Sequence, residues 1–170
     1  MELPEEVRES FHGKRFRVEV EAWPEGDREV VRSPAVSAIV AVTPDRQVLL
    51  VRQHRRSVRR SLLEIPAGLL EADEDFPAAA SRELREETGY RAESMEFLGE
   101  FFTSAGLTDE RFHLFLALTQ PEPGAGPDEE IDELVAMRWP EALAAARAGR
   151  FRDAKTCLGI LLAAVRVSAG

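Results

Sequence analysis

The sequence predicts a sandwich of the α+β or α/β class, a mixed sheet faced by helices, and three observations carry that prediction. Two stretches, AVSAIVAVT and QVLLVRQH, are rich in valine, isoleucine and leucine almost without a break, as central strands covered on both faces are. Other stretches alternate apolar and polar residues with period two, the pattern of half-buried strands. Three segments read as helices, and two of them open on a proline and stop at a glycine.

In chain order, RFRVEVEAW sets Phe16, Val18, Val20 and Ala22 against charged neighbours, PEGD (24–27) makes a turn, and REVVRS is a second strand. The amino-terminal part is therefore expected to be a β-hairpin. AVSAIVAVT and QVLLVRQH follow, joined through PDR (44–46). The segment Pro77–Thr88 is helical: Pro77 suits a first helical position, Ala78 to Ala80 are strong helix formers, and Gly89 supplies the stop. SMEFLGEFFTS and ERFHLFLALTQ are two further strands, PEPGAGPDEE (121–130) is a loop, and ELVAMRW is a last strand. A short helix runs from Pro140 to the Gly149 stop, and a longer one covers 153–167.

The 170 residues suffice for one domain with a real core. A net charge of -9 argues against nucleic acid or an anionic membrane as partner, although a bridging cation would still bring phosphates within reach. The lone Cys157 cannot form an internal disulfide, so a reducing, cytoplasmic setting is expected. MELPEEVRES has neither the apolar run nor the basic flank of a signal peptide, and CLGILLAAV (157–165) is too short to span a bilayer. His54 and His113 stand alone and give no zinc signature. Cys157 sits on an apolar helix with no sign of a nucleophile's surroundings.

On the 77–88 helix Glu83, Glu86 and Glu87 project from one side, while Leu84 lies off that stripe and faces the core. Solvated, such a cluster costs only tenths of a kcal/mol and is an ordinary wet face. Grouped oxygen ligands also suit Mg²⁺, a hard ion that prefers phosphate-bearing partners and would offset the repulsion.

The surrounding residues decide between these readings. Gly68, Glu74, Arg82, Glu83, Leu84, Glu86, Glu87 and Gly89 fall on every fixed position of G-x5-E-x7-R-E-U-x-E-E-x-G-U, with Tyr90 in the closing apolar slot. The segment thus resembles the box of the Nudix hydrolases. That resemblance implies a strand–loop–helix unit in an α/β/α sandwich whose helix carboxylates hold one or more Mg²⁺, with Mn²⁺ or another divalent cation as a substitute. By position, Glu83 and Glu87 would be principal ligands, Glu86 a further ligand or the group orienting a metal-bound water, and the Ala67 carbonyl part of a metal shell. Arg82 would pair with an acidic neighbour and fix the ligands. Gly68 would permit a tight turn, and Glu74 and Gly89 would be structural. Water would attack a phosphorus of a diphosphate while a carboxylate takes its proton.

VRSPAVSAIVAV, VLLVRQHR and LLEIPAGLLE further resemble the branch of the family that cleaves ADP-ribose and related nucleoside diphosphate sugars. The resemblance implies a substrate diphosphate contacted by Arg52 or Arg55, whose planar fork binds phosphate oxygens in pairs, with Glu64 near the site. The rest of RQHRRSVRR is expected to be a solvated basic loop. Where the branch carries SPG this chain has SAG, with Ala105 for proline and Ser104, Gly106 and Glu110 retained. Glu129 and Glu130, with Glu133 behind them, are candidates for the general base, and Trp23 for stacking adenine. Residues 1–33 form an extension that would build a homodimer, leaving 34–170 as the hydrolase domain. Two rival functions stand beside it: a house-cleaning nucleoside triphosphate pyrophosphohydrolase with the same box, and a nucleotide-sugar sensor without turnover, a class whose boxes tend to be degraded where this one is intact.

Overall fold

The structure, a computed structural model, describes residues 3–123, 127 and 131–167. Its amino-terminal part is a three-stranded antiparallel sheet of β1 (Glu6–His12), β2 (Arg17–Ala22) and β3 (Arg28–Arg32), in that order. The expected hairpin is β2–β3, its turn closed by the Gly26 N–H donating to the Trp23 carbonyl. β1 is an addition to it. All seven of its residues are exposed, so EVRESFH carries no buried face from which a strand can be read.

The main sheet contains β4 (Val36–Val42), β5 (Gln47–Arg55), β6 (Arg60–Glu64), β7 (Ala67–Leu69), β8 (Tyr90–Phe102), β9 (Arg111–Pro121) and β10 (Glu133–Arg138). Its order is β10-β5-β4-β9-β8, with β4 and β9 parallel and the other pairs antiparallel. β4 is buried along its whole length, as its apolar run predicts.

Three helices cover the two faces. α1 (Phe76–Thr88) packs on one, where Ala80 and Leu84 meet Ile39, Ala41 and Leu49. α2 (Trp139–Arg147) and α3 (Ala154–Val167) pack on the other, where Trp139, Ala142 and Ile160 share a core with Ala38, Val40 and Val42. Alternate residues of β4 thus feed opposite cores, which is the α/β/α sandwich the sequence predicts.

β4 and β5 pair only through Ala41–Leu49 and Val42–Val48 and then part. β6 takes the vacated edge of β5, and β7 that of β4. The short link Glu64–Ala67 therefore crosses the gap between two central strands, and that gap positions the site.

Candidate active site

Glu64, Ile65 and Pro66 are buried in the link, whose backbone groups find partners on both sides: the Ile39 N–H donates to Pro66 O (3.0 Å), and the Ile65 N–H to Thr156 Oγ1 (2.9 Å). α1 starts beyond β7. The Asp75 carboxylate accepts from the Ala78 N–H at 2.8 Å, Pro77 follows in the first turn, and Gly89 closes the helix in the left-handed region at φ 72°.

α1 sets Glu83 and Glu87 toward the link and Glu86 toward solvent. Glu87 is only 9% exposed and accepts from the Ala67 N–H at 3.0 Å. Glu83 lies against Gly68 so closely that a Cβ there would stand 1.9 Å from its Oε1. The turn expected of Gly68 is absent: it sits within β7 opposite Ser37, and its missing side chain is the space the Glu83 carboxylate occupies.

Arg82 binds the box together. Its Nε and one terminal nitrogen donate to Glu74 at 2.9 Å each, the latter also to Leu69 O (3.0 Å), and the other terminal nitrogen to Glu83 (2.7 Å) and Glu86 (3.0 Å). The Glu74 hydrogen bonds, and then those to Glu83 and Glu86, raise the guanidinium pKa and keep it charged. Arg82 also lowers the Glu74 carboxyl. Glu83 and Glu87 go the other way. Burial raises Glu83 against the pull of Arg82, and pushes Glu87 up to about 8 against its bond from Ala67.

Beside them, Arg55 donates from Nε and a terminal nitrogen to the two oxygens of Glu64, each at 2.8 Å. Glu64 is 2% exposed, so this bidentate pair is anchored in the core and open at its arginine end. Arg55, Glu64, Ala67 and Gly68 line one cleft of about 600 Å³, which Phe16, Glu110 and Lys155 also line.

The remaining candidates fall elsewhere. Arg52 pairs with Glu133 at 2.7 Å across β5–β10, which turns both away from the cleft. Trp23 lies at the β2–β3 turn with its indole N–H on Glu21 (3.0 Å), outside the cleft lining. Glu129 and Glu130 lie outside the described residues. Sequence reasoning passed over Arg15, Asp153 and Lys155, which also line the cleft. DAKT announces a helix start but not which wall of the molecule it faces.

A divalent cation fits the donors in kind. All are oxygens, Glu83 and Glu86 share one arginine, and Gly68 leaves room for a carboxylate at the strand. Among the described residues the side chains do not yet converge as a three-ligand group, because Glu83 and Glu86 are turned to Arg82 and Glu87 to the Ala67 N–H.

A glutamate-bearing helix laid on a glycine strand, in a helix–sheet–helix sandwich, is the frame of a Nudix domain. Residues 31–156 match the family model described as NUDIX domain, and the chain belongs to the Nudix hydrolase family, whose members generally use divalent cations. Among curated proteins it is 40% identical over 158 residues to a methanol dehydrogenase activator of Bacillus methanolicus, covering 88% of this chain and 85% of the relative. It is 39% identical over 136 residues to an ADP-ribose pyrophosphatase of Bacillus subtilis, covering 78% and 74%. Among solved structures, an ADP compounds hydrolase superposes with a TM-score of 0.78 over 99% of this chain and 96% of the other at 21% identity, a likeness of fold. Among the described residues no helix is long and apolar enough to cross a membrane.

Proposed function

We propose that this protein hydrolyses the diphosphate linkage of ADP-ribose or a related nucleoside diphosphate sugar, giving AMP and a sugar phosphate, with Mg²⁺ as the cation. One observation carries the reading: Ala67 and Gly68, which line the same cleft as the Arg55–Glu64 pair, are the residues against which Glu87 and Glu83 of the box helix lie. The names of the relatives support the same chemistry.

Glu83, Glu86, Glu87 and the Ala67 carbonyl would hold the cation, which when bound lowers the pKa of water and neutralises phosphate oxygens. Arg82 holds Glu83 and Glu86 side by side. Arg55, braced by Glu64, offers its remaining N–H groups to a phosphate oxygen without having to be ordered first. We assign the water's proton to Glu129 or Glu130. Glu110, which lines the cleft and accepts from Ser33 Oγ at 3.2 Å, competes for that role among the described carboxylates.

The test is a panel of ADP-ribose, GDP-mannose, diadenosine polyphosphates and dNTPs in Mg²⁺, scored for products. Turnover of dNTPs alone would favour the triphosphate pyrophosphohydrolase. Tight binding of ADP-ribose with no Mg²⁺-stimulated turnover would favour the sensor. We further propose a cytoplasmic homodimer built through residues 1–33, a reading supported by Val7, Phe11 and Phe16 exposed on and beside the amino-terminal sheet. Sedimentation that finds monomer alone at micromolar concentration would refute the dimer.

A further inference from the structure

We infer that Lys155 is a second substrate-contacting cation of this cleft, oriented by Asp153 to meet a phosphoryl group of the nucleoside diphosphate; this rests on the function proposed above. Lys155 occupies the first turn of α3 and lines the cleft with Arg55 and Glu64. The first turn is the wrong end of a helix for a cation, because the N–H groups there already present partial positive charge. Helix formation therefore gives no reason for a lysine at this position.

Capping gives none either. The Asp153 carboxylate caps α3 through Thr156, accepting from its backbone N–H at 2.8 Å and its hydroxyl at 2.7 Å on Oδ2. Lys155 Nζ bonds the other oxygen, Oδ1, at 2.7 Å. Both side chains are mostly buried, Lys155 at 20% and Asp153 at 10% exposure. An ammonium has three donors, and among the described residues this one meets a single acceptor. What remains of its donor capacity is a largely desolvated cation on a cleft wall.

The placement is rigid. Thr156, fully buried, accepts the Ile65 N–H, and Ile65 follows the Glu64 that clamps Arg55. Lys155 and Arg55 are thus tied to adjacent residues of one link. Arg55 has already committed two N–H groups to Glu64, so a doubly charged diphosphate needs more positive charge than Arg55 offers alone.

The experiment compares wild type, K155M and K155R in Mg²⁺. For K155M we expect the KM for ADP-ribose to rise about tenfold or more, with kcat within about threefold, the pattern of lost uniform binding. Calorimetry should find at least one product, AMP or ribose 5-phosphate, bound about tenfold more weakly by K155M, and phosphate-free adenosine bound as before. K155R, which keeps the charge, should recover most of the KM. A KM within twofold of wild type, a loss confined to kcat, or equal weakening of adenosine would overturn the inference. Should K155M lose its cooperative melting transition, K155Q takes its place in the same comparison. Wild type that turned over no nucleoside diphosphate sugar would bring down the proposed function and this inference together, whereas an active wild type with an unchanged KM in K155M would bring down this inference alone.

Discussion

Two arginines in this molecule each gather three carboxylates, and they do so for different ends. Arg32 pairs with Glu19 at 2.6 Å, with Glu21, and with Asp109 at 3.5 Å. Arg82 pairs with Glu74, Glu83 and Glu86. Glu19 and Glu21 stand together on β2 whereas Asp109 lies far along the chain, so the Arg32 guanidinium staples the amino-terminal sheet to the turn before β9, where Val31 also exchanges backbone hydrogen bonds with Leu107 and Asp109. The Arg82 partners come from thirteen consecutive residues and all three belong to the box. One arginine fastens structure together. The other arranges charge that is left in excess, with the buried Glu87 carboxyl alongside and pushed up to about 8.

The sharpest way to break this contrast is Glu87→Gln. The amide can still accept from the Ala67 N–H but carries no charge, and we expect kcat to fall roughly 10²-fold or more, a few kcal/mol of barrier. In chelator the same variant should melt no lower than wild type, because it sheds the cost of burying a carboxylate. A variant that melted well below wild type yet kept its kcat would make Glu87 a structural residue. Gly68→Ala comes next. Its methyl group collides with the Glu83 carboxylate, and turnover should drop about tenfold or more with the fold retained by circular dichroism.

Arg32→Met should give the opposite pattern. We expect a loss of roughly 1–3 kcal/mol in urea unfolding, since three carboxylates are left facing one another, with kcat per folded molecule unchanged within about threefold. If Arg32→Met cost as much activity as Glu87→Gln, the two clusters would not be separable, and the staple would be part of the site.

The same contrast explains what was legible in the sequence. The box could be read because chemistry fixes residue types at fixed spacing: Gly68, Arg82 and three glutamates stand out whatever surrounds them. β4 was equally plain because both of its faces are buried. β1 was not, because all of its residues are exposed and its pairing is made by backbone, which leaves no trace in side-chain type. β6 was hidden because it opens on exposed residues of the basic run after Arg55 and only its last residue, Glu64, is buried. Arg52 and Arg55 look interchangeable in VRQHR, yet they end on different partners: Arg55 meets the buried Glu64 of β6, whereas Arg52 meets Glu133 of β10. Which strand lies on each edge of β5 is a property of the whole sheet and not of a pentapeptide.

Smaller effects sharpen the comparison further. Asp153 is partly buried, which raises its carboxyl pKa, but Lys155 and Thr156 outweigh that and hold it below the usual 3.8. A lowered carboxylate contributes stability that is fully present above 3.8 and is lost as pH falls through the folded-state value. The unfolding free energies of wild type and Asp153→Asn should therefore differ at pH 7 and converge as pH falls below 3.8. A gap that widened on acidification would mean that the cap works through the neutral acid.

The least effect is expected at Arg52–Glu133. Both side chains are about half exposed, so the pair is screened and pays the entropy of ordering two long side chains for a modest attraction. Arg52→Ala should change stability by roughly 0–1 kcal/mol and, being turned from the cleft, leave the KM for ADP-ribose within about twofold. Arg55→Ala supplies the contrast. It strands Glu64 in the core without a partner and removes a phosphate donor, so both stability and KM should suffer. If Arg52→Ala raised KM as much as Arg55→Ala does, Arg52 would have to leave Glu133 for the substrate, and the two arginines would act on the diphosphate as a pair.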